Sequence, residues 1–379
     1  MADDPGPTRV LFLTLHPPAQ ASTRQRVHKY LHLLPQYGVK PRVRCAMPAY
    51  LYDKWYGKPS KLGKALYPVV ETLLRLAHLL DASRFDVVVV QKRISSINLR
   101  GLQRVTRLCC RKLVIDFDDA VYMAPAQEYG NPVLRKLLQD PRQFEKALSR
   151  ADGAVAGNAN LAEYARRLCP RADVVATSMD MELYRARPWR EDETVTIGWS
   201  GSSSTNAYVN TVADVLAELG RRYPQARFLH ISDSDRGVDW DGLAPMPAEH
   251  VTWRLESLID DLHRIDIGIM PLADTEWNRG KCGGKIVQYM SIGIPSVNSP
   301  VGINSEIIEE GVNGCLAAGR DEWVDKLGRL IEDAGLRRRM GENARTTAEE
   351  RFSNQANAPR LAAVLREVAR GRNSRAASV

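Results

Sequence analysis

The sequence has no run of about 18 uninterrupted apolar residues, the length a helix needs to cross a bilayer. Its start, Met1 to Pro7, holds two aspartates and no apolar stretch, so no secretory signal is expected there. Both absences lead to the expectation of a cytoplasmic protein. The six cysteines (Cys45, Cys109, Cys110, Cys169, Cys282 and Cys315) form no CxxC pair and no Cys/His ligand spacing. They read as reduced thiols, with no structural zinc. No repeat of fixed period and no long low-complexity segment is present. No RNA-binding signature or helix-turn-helix pattern stands out, so nucleic acid is not an expected partner.

What is present is the composition of an ordinary globular protein, 44% hydrophobic and 26% charged. A chain of 379 residues can build two domains with full cores. The net charge of +8 favours anionic partners such as phosphates or lipid headgroups. Part of that excess sits at the end of the chain, where Arg366, Arg370, Arg372 and Arg375 accompany a single glutamate, Glu367. This tail reads either as a solvated, frayed helix end or as a patch for an anionic membrane surface.

Short apolar runs alternate with longer helical patterns. Arg9–Leu15, Asp86–Val90, Lys112–Ile115, Gly153–Ala156 and Asp173–Ala176 read as strands in the first half. Their β-branched runs without alternation suggest a parallel sheet covered on both faces. A helix is expected over Thr23–Tyr37, with Val27, Tyr30, Leu31, Leu33 and Leu34 inward. A polar, proline-containing stretch near 181–194 reads as a linker. Strands then resume at Val195–Trp199, Arg227–Ile231, Ile265–Met270 and Ser296–Val297, and the chain reads as helical from Arg320 to near Arg370. The fold class is therefore α/β, with two Rossmann-like doubly wound domains facing a cleft. The first covers 1–185 and is completed by a C-terminal helix at about 354–379; the second covers 190–353. Ligands of such sheets bind at the carboxyl ends of the strands.

The segment Trp277–Gly314 carries the most chemistry. Arg279, Lys281 and Lys285 place three cations close together. Gly283 and Gly284 stand just before a helix, where small residues let a ligand approach the backbone and free N–H groups carry partial positive charge. Such a turn suits a diphosphate. On these residues alone, a loop-to-helix turn with a solvated charge cluster fits as well.

The order of residues here resembles the donor-binding region of family 4 glycosyltransferases, retaining enzymes of the GT-B fold. Gln288-Tyr289-Met290-Ser291-Ile292-Gly293-Ile294-Pro295-Ser296-Val297 fits the family's central motif. Val301-Gly302 and Glu306 fit the turn that follows, and Gly311-Val312-Asn313-Gly314 fits the closing turn. Two departures stand out. Gly280 and Gln288 occupy the places of the family's two glutamates. The loop Ser200-Gly201-Ser202 lacks the family's phosphate-binding Arg and Lys, and no cation follows before Arg221. Lys281 and Lys285 are inferred to supply that charge instead.

The resemblance implies a nucleotide-sugar co-substrate, no bound cofactor and no divalent ion for catalysis. Donor contacts are then expected from Ser200, Gly201, Ser202, Lys281, Gly283, Gly284, Gln288 and Glu306. Asp118, Lys285 and Arg279 are the candidate catalytic residues. Asp118 lies in Asp116-Phe117-Asp118-Asp119, near the place where relatives carry a sugar-contacting histidine. A solvated turn or a metal site are other readings of those acids. Arg24, Arg26, Gln91, Asp116 and Asn158 stand after strand ends and are the candidate acceptor contacts. The acceptor itself is open: a glycan, a lipid-linked intermediate or a small natural product. The expected reaction is sugar transfer to a hydroxyl with retention. A GT-B epimerase or pseudo-glycosyltransferase, or a non-catalytic sugar-nucleotide binding module, are alternatives on the same fold.

Overall fold

The computed structural model describes residues 6–57, 61–123, 139–190 and 193–371. The acidic first residues, the tail arginines Arg372 and Arg375, and residues 191–192 of the polar stretch lie outside the described residues. The chain divides into two compact units. One comprises Met1–Thr177 with Asn357–Val379, the other Ser178–Ala356.

The first unit is built on six parallel strands: β1 (Thr8–Thr14), β2 (Val39–Cys45), β3 (Val87–Gln91), β4 (Leu113–Phe117), β5 (Gly153–Ala156) and β6 (Ala172–Val174). Their order is β2-β1-β3-β4-β5-β6. Val10 lies opposite Val87, and Val90 opposite Ile115. Every residue of β3 and β4 is buried, as an uninterrupted apolar run between two helical layers requires. The expected Thr23–Tyr37 helix is broken into an α-helix at Ala21–Arg26 and two 3-10 turns at His28–Tyr30 and Leu34–Tyr37. Val27 leaves helical geometry (φ −124°, ψ −63°), and Pro35 has no N–H to continue the ladder. The inward side chains still pack as one cluster. Val27, Tyr30 and Leu34 meet Val10, Phe12 and Val89, together with Leu361 and Leu365 of the C-terminal helix Asn354–Ala369.

The second unit has six parallel strands: β7 (Val195–Ser200), β8 (Ala226–Ser232), β9 (Ala248–Thr252), β10 (Ile267–Met270), β11 (Ser296–Asn298) and β12 (Cys315–Leu316). Their order is β12-β11-β10-β7-β8-β9. Phe228, Ile267 and Val297 form its core with Leu216, Leu327 and Leu330 from the helices Ala213–Arg222 and Arg320–Glu332. The polar stretch before β7 is tied to this unit rather than solvated. The Arg187 guanidinium, almost buried, pairs with Asp266 at 2.5 Å, and its backbone N–H donates to Ile292 O.

Candidate active site

In the second sheet the strand order reverses direction between β7 and β10, the place where open α/β sheets bind ligands. Three features meet there. Gly198 of β7 lies opposite Gly268 of β10. A side chain on Gly268 would strike the Tyr289 ring, so the glycine is what lets that ring lie against the sheet. The Tyr289 hydroxyl then accepts a hydrogen bond from Ser200 N at 3.0 Å, fixing the strand end where the Gly201 loop begins. Burial pushes the Tyr289 phenol well above its usual range, so it stays protonated.

Lys285 is in the first turn of the helix Gly284–Ser291. Its ammonium is 4.8 Å from the centre of the Trp199 ring, and its stem packs on Gly201, where a Cβ would come within 2.7 Å of Lys285 Cε. The residue is only partly exposed. Burial, aided by the nearby positive charge of Lys281, pulls its pKa down from 10.5 to about 8. No ion pair to Lys285 is present among the described residues. A cation is thus held over an aromatic face, at a helix start, with its counter-charge supplied by no described side chain.

Gly283 caps this helix in a left-handed conformation (φ 65°), and a Cβ there would press on Ile307 Cδ1 at 2.3 Å. Gly302 is also left-handed (φ 56°) and packs on the Arg279 backbone. The family-type turn 301–306 is therefore seated directly on the 279–283 loop. Lys281 stands 5.1 Å from the Trp277 ring centre. Arg279 turns outward and pairs with Asp274 at 2.7 Å. Gln288 reaches the Tyr184 hydroxyl at 3.4 Å, and Glu306 is exposed. Ser200 is buried at the strand end, and the Ser202 and Ser204 hydroxyls are 2.8 Å apart. Ser203 donates through N–H and hydroxyl to Asp233 at 2.7 and 2.8 Å. Burial alone would raise the Asp233 pKa, but these hydrogen bonds hold it below its ordinary value.

The first unit has its own polar cluster at the carboxyl ends of β1, β3 and β4. Asp118 pairs with Lys92 at 2.9 Å and accepts from the Ser22 hydroxyl at 3.0 Å. Lys92 also pairs with Asp119 at 2.6 Å. Gln91 donates to Ser22 at 3.0 Å and accepts from Thr23 at 3.2 Å. Burial opposes ionisation of Asp118, but the charges of Lys92 and Arg26 outweigh it and lower the pKa. Lys92 adopts φ 60°, unusual for a residue with a side chain, so the strand end is bent to bring its ammonium to the aspartates. The three close acids are thus matched by Arg26 and Lys92.

Four of the expected acceptor contacts, Arg24, Arg26, Asp116 and Asn158, make structural bonds. Arg26 is buried and makes a two-pronged pair with Asp116 at 3.0 and 2.6 Å, with a third bond to Val175 O. Burial alone would lower the Arg26 pKa, but the charge and hydrogen bonds of Asp116 raise it further. Asn158 caps the helix Ala159–Arg166 by accepting from Leu161 N at 2.8 Å. Arg24 donates to the carbonyls of Pro18 and Ala19 in the loop that precedes its helix. Arg26→Met is expected to cost about 3–5 kcal/mol, because it leaves Asp116 buried without its partner. Thermal unfolding checks this, with a melting point lower by roughly 10 °C. The pair replacement Arg26→Met with Asp116→Leu is expected to recover most of the loss.

Ser22, Trp199 and Tyr289 join these clusters without having been expected as contacts, and Lys92, expected with Gln91 and Arg93 at the end of the Asp86–Val90 strand, pairs with the aspartates. Each contact joins residues of separate elements, so no local pattern announces it.

The fold is that of GT-B glycosyltransferases, two Rossmann-like domains. HepE of Anabaena, solved with UDP and glucose, superposes with a TM-score of 0.64 at 17% identity, covering 95% of this chain and 99% of its own. Sucrose-phosphate synthase of Thermosynechococcus elongatus gives 0.66 at 12%, covering 95% and 99%. The lipopolysaccharide outer core galactosyltransferase WaaB gives 0.64 at 14%, covering 95% and 100%. In sequence, residues 194–333 match the family described as Glycosyl transferases group 1. No curated protein matches the chain.

Proposed function

We propose that the chain is a retaining glycosyltransferase whose second unit binds a nucleotide sugar. The observation that carries this reading is Lys285, held over Trp199 and against Gly201 at the start of the helix Gly284–Ser291. A diphosphate at that switch point would meet an ammonium and free backbone N–H groups together. Lys281 adds charge from the same loop. Negative charge grows on the leaving diphosphate as the glycosidic bond breaks, so preorganised cations there lower the barrier. Among nucleotides, UDP is the first to test, since HepE is solved with UDP and with UDP-glucose.

In this reading the first unit holds the acceptor. Asp118 faces sugar or acceptor hydroxyls, with Lys92 and Ser22 fixing its carboxylate. Retention requires the acceptor hydroxyl on the face from which the diphosphate departs. The leaving phosphate can then take the acceptor proton, and no separate base is required. The acceptor is a glycan, a lipid-linked intermediate or a small natural product, and the setting is cytoplasmic.

A second reading rests on Gly280, which has no side chain where the resembling family uses a glutamate against the transferred sugar. It makes the chain a nucleotide-sugar enzyme that forms no glycosidic bond. Product analysis separates the two. Incubation with nucleotide sugars and a panel of acceptors is expected to give nucleoside diphosphate and a glycoside. An altered nucleotide sugar without coupling would instead favour the second reading.

A further inference from the structure

In the helix Lys61–Leu79 the charged side chains of Glu71 and Arg75 face the protein, beside Tyr67 and Leu79, and an apolar stripe faces away. Glu71 and Arg75 are both 0% exposed. Glu71 accepts from Ser96 N at 2.9 Å, and Arg75 donates to Ile94 O and Thr14 O at 3.0 and 2.7 Å. The outward stripe is Leu66, Val69, Leu73, Leu76 and Leu80, with exposure from 36% at Leu76 to 84% at Leu80. The spacing alternates three and four, so these side chains form one continuous ridge. From Ala65 to Leu80 the sequence holds no Lys, Arg, Asp or Glu besides Glu71 and Arg75, so the ridge carries no formal charge at neutral pH. Scattered exposed apolar residues are ordinary, but a contiguous ridge marks a contact surface.

Both ends of the ridge are cationic. The segment Asp53–Gly57, which packs against this helix, presents exposed Lys54 and Asp53 beside Trp55, and the sequence from 53 to 64 holds Lys54, Lys58, Lys61 and Lys64 against that single acid. The turn Ala82–Arg84 at the other end presents Arg84, whose side chain is 81% exposed. Arg44 and Arg84 share the single carboxylate of Asp81, so this end keeps excess positive charge.

We infer that this ridge seats on the surface of an anionic lipid bilayer, with the leucines in the acyl boundary and the cations among the headgroups. The charge pattern selects this occupant over a second copy of the chain. A two-fold pair of ridges, in either direction, would set cationic ends against cationic ends. It would also lack the flanking charges that fix register between paired helices, since Val70, Thr72, Ala77 and Leu79 stand at those positions. The inference does not depend on the sugar-transfer reading, because its readout is vesicle binding and not turnover.

The test is flotation of the full chain with vesicles of phosphatidylcholine alone and with about a third phosphatidylglycerol. The chain is expected to float with the anionic vesicles only, and less at high salt. Leu73→Glu with Leu80→Glu is expected to weaken partitioning by tenfold or more while the melting point stays unchanged, since burying one leucine exceeds the free energy of a tenfold step. If that variant folds poorly, Leu80→Glu alone, at the most exposed position, serves in its place. Three results would overturn the inference. One is no flotation of the wild type with anionic vesicles. Another is undiminished flotation of the stripe variant while Arg370→Ala/Arg372→Ala/Arg375→Ala abolishes it, which would move the contact to the tail. The third is a wild-type dimer on size exclusion that the stripe variant converts to monomer.

Discussion

Lys285→Ala is expected to weaken nucleoside diphosphate binding by about tenfold or more and to slow sugar transfer by a further factor. A charge-assisted hydrogen bond to a phosphate is worth about 1.5–3 kcal/mol, and about 1.4 kcal/mol is a factor of ten. The resembling family's usual cations after Gly201 are missing, so few other groups of the second unit share the load. The fold should tolerate the change. The contact with Trp199 is worth about 0.5–1 kcal/mol, and removing a half-desolvated ammonium offsets part of it. Calorimetric titration of the variant measures the first effect, and initial rates at saturating donor the second. Lys281→Ala should act in the same direction and more weakly, because Lys281 precedes the helix turn.

The same lysine predicts a pH dependence with a defined sign. Its pKa in the free protein is lowered to about 8, chiefly by burial. A bound diphosphate favours the charged form and raises that pKa again. Binding therefore takes up a proton between about pH 8 and the higher bound value. Affinity should be flat in this group below about pH 8 and should fall as pH rises above it, by up to about tenfold per unit. Lys285→Arg should abolish that dependence, because a guanidinium stays charged throughout.

Asp118→Asn is expected to lower turnover by about a hundredfold or more while nucleotide affinity stays within about twofold, on the scale of losing one positioned group in the transition state. Asparagine keeps the shape and can still accept from Ser22, but it loses the charge that Lys92 balances. Lys92 retains Asp119 at 2.6 Å, so the variant leaves no cation stranded. The melting point is read alongside the rate. A matched loss of stability would mean that Asp118 only braces the strand end, and an unchanged rate would remove it from the chemistry.

The parts of the fold legible in sequence are those where burial on both faces forces a continuous apolar run. The Val87–Val90 stretch and Ile267–Met270 are of this kind. The edge strands β2 and β9 are not. Val39–Cys45 carries Lys40, Pro41, Arg42 and Arg44, and β9 carries Glu249, His250 and Thr252, because each is paired on one side only. The helix Lys61–Leu79 escapes a sequence reading for a different reason. Periodicity shows which residues share a face but not which face is inward, and here the inward face carries Glu71 and Arg75 beside Tyr67 and Leu79. Within the candidate sites, each residue's place at a strand end or helix start follows from the order of motifs. The partnerships do not: Lys285 with Trp199, and Asp118 with Lys92 and Ser22, depend on which strands become neighbours. Asn158 shows the converse. Its position after a strand suggests a ligand contact, but the same position is the N-cap of the next helix, and the cap occupies its side-chain oxygen.

The second unit is proposed to hold a nucleoside diphosphate site centred on Lys285. The most direct measurement is calorimetric titration of the wild-type chain and of Lys285→Ala with UDP, the other nucleoside diphosphates and the matching monophosphates. One diphosphate is expected to bind per chain, tighter than its monophosphate, with the preference reduced by about tenfold or more in the variant. Binding of no nucleoside diphosphate, or equal affinity in wild type and variant at an unchanged melting point, would contradict it.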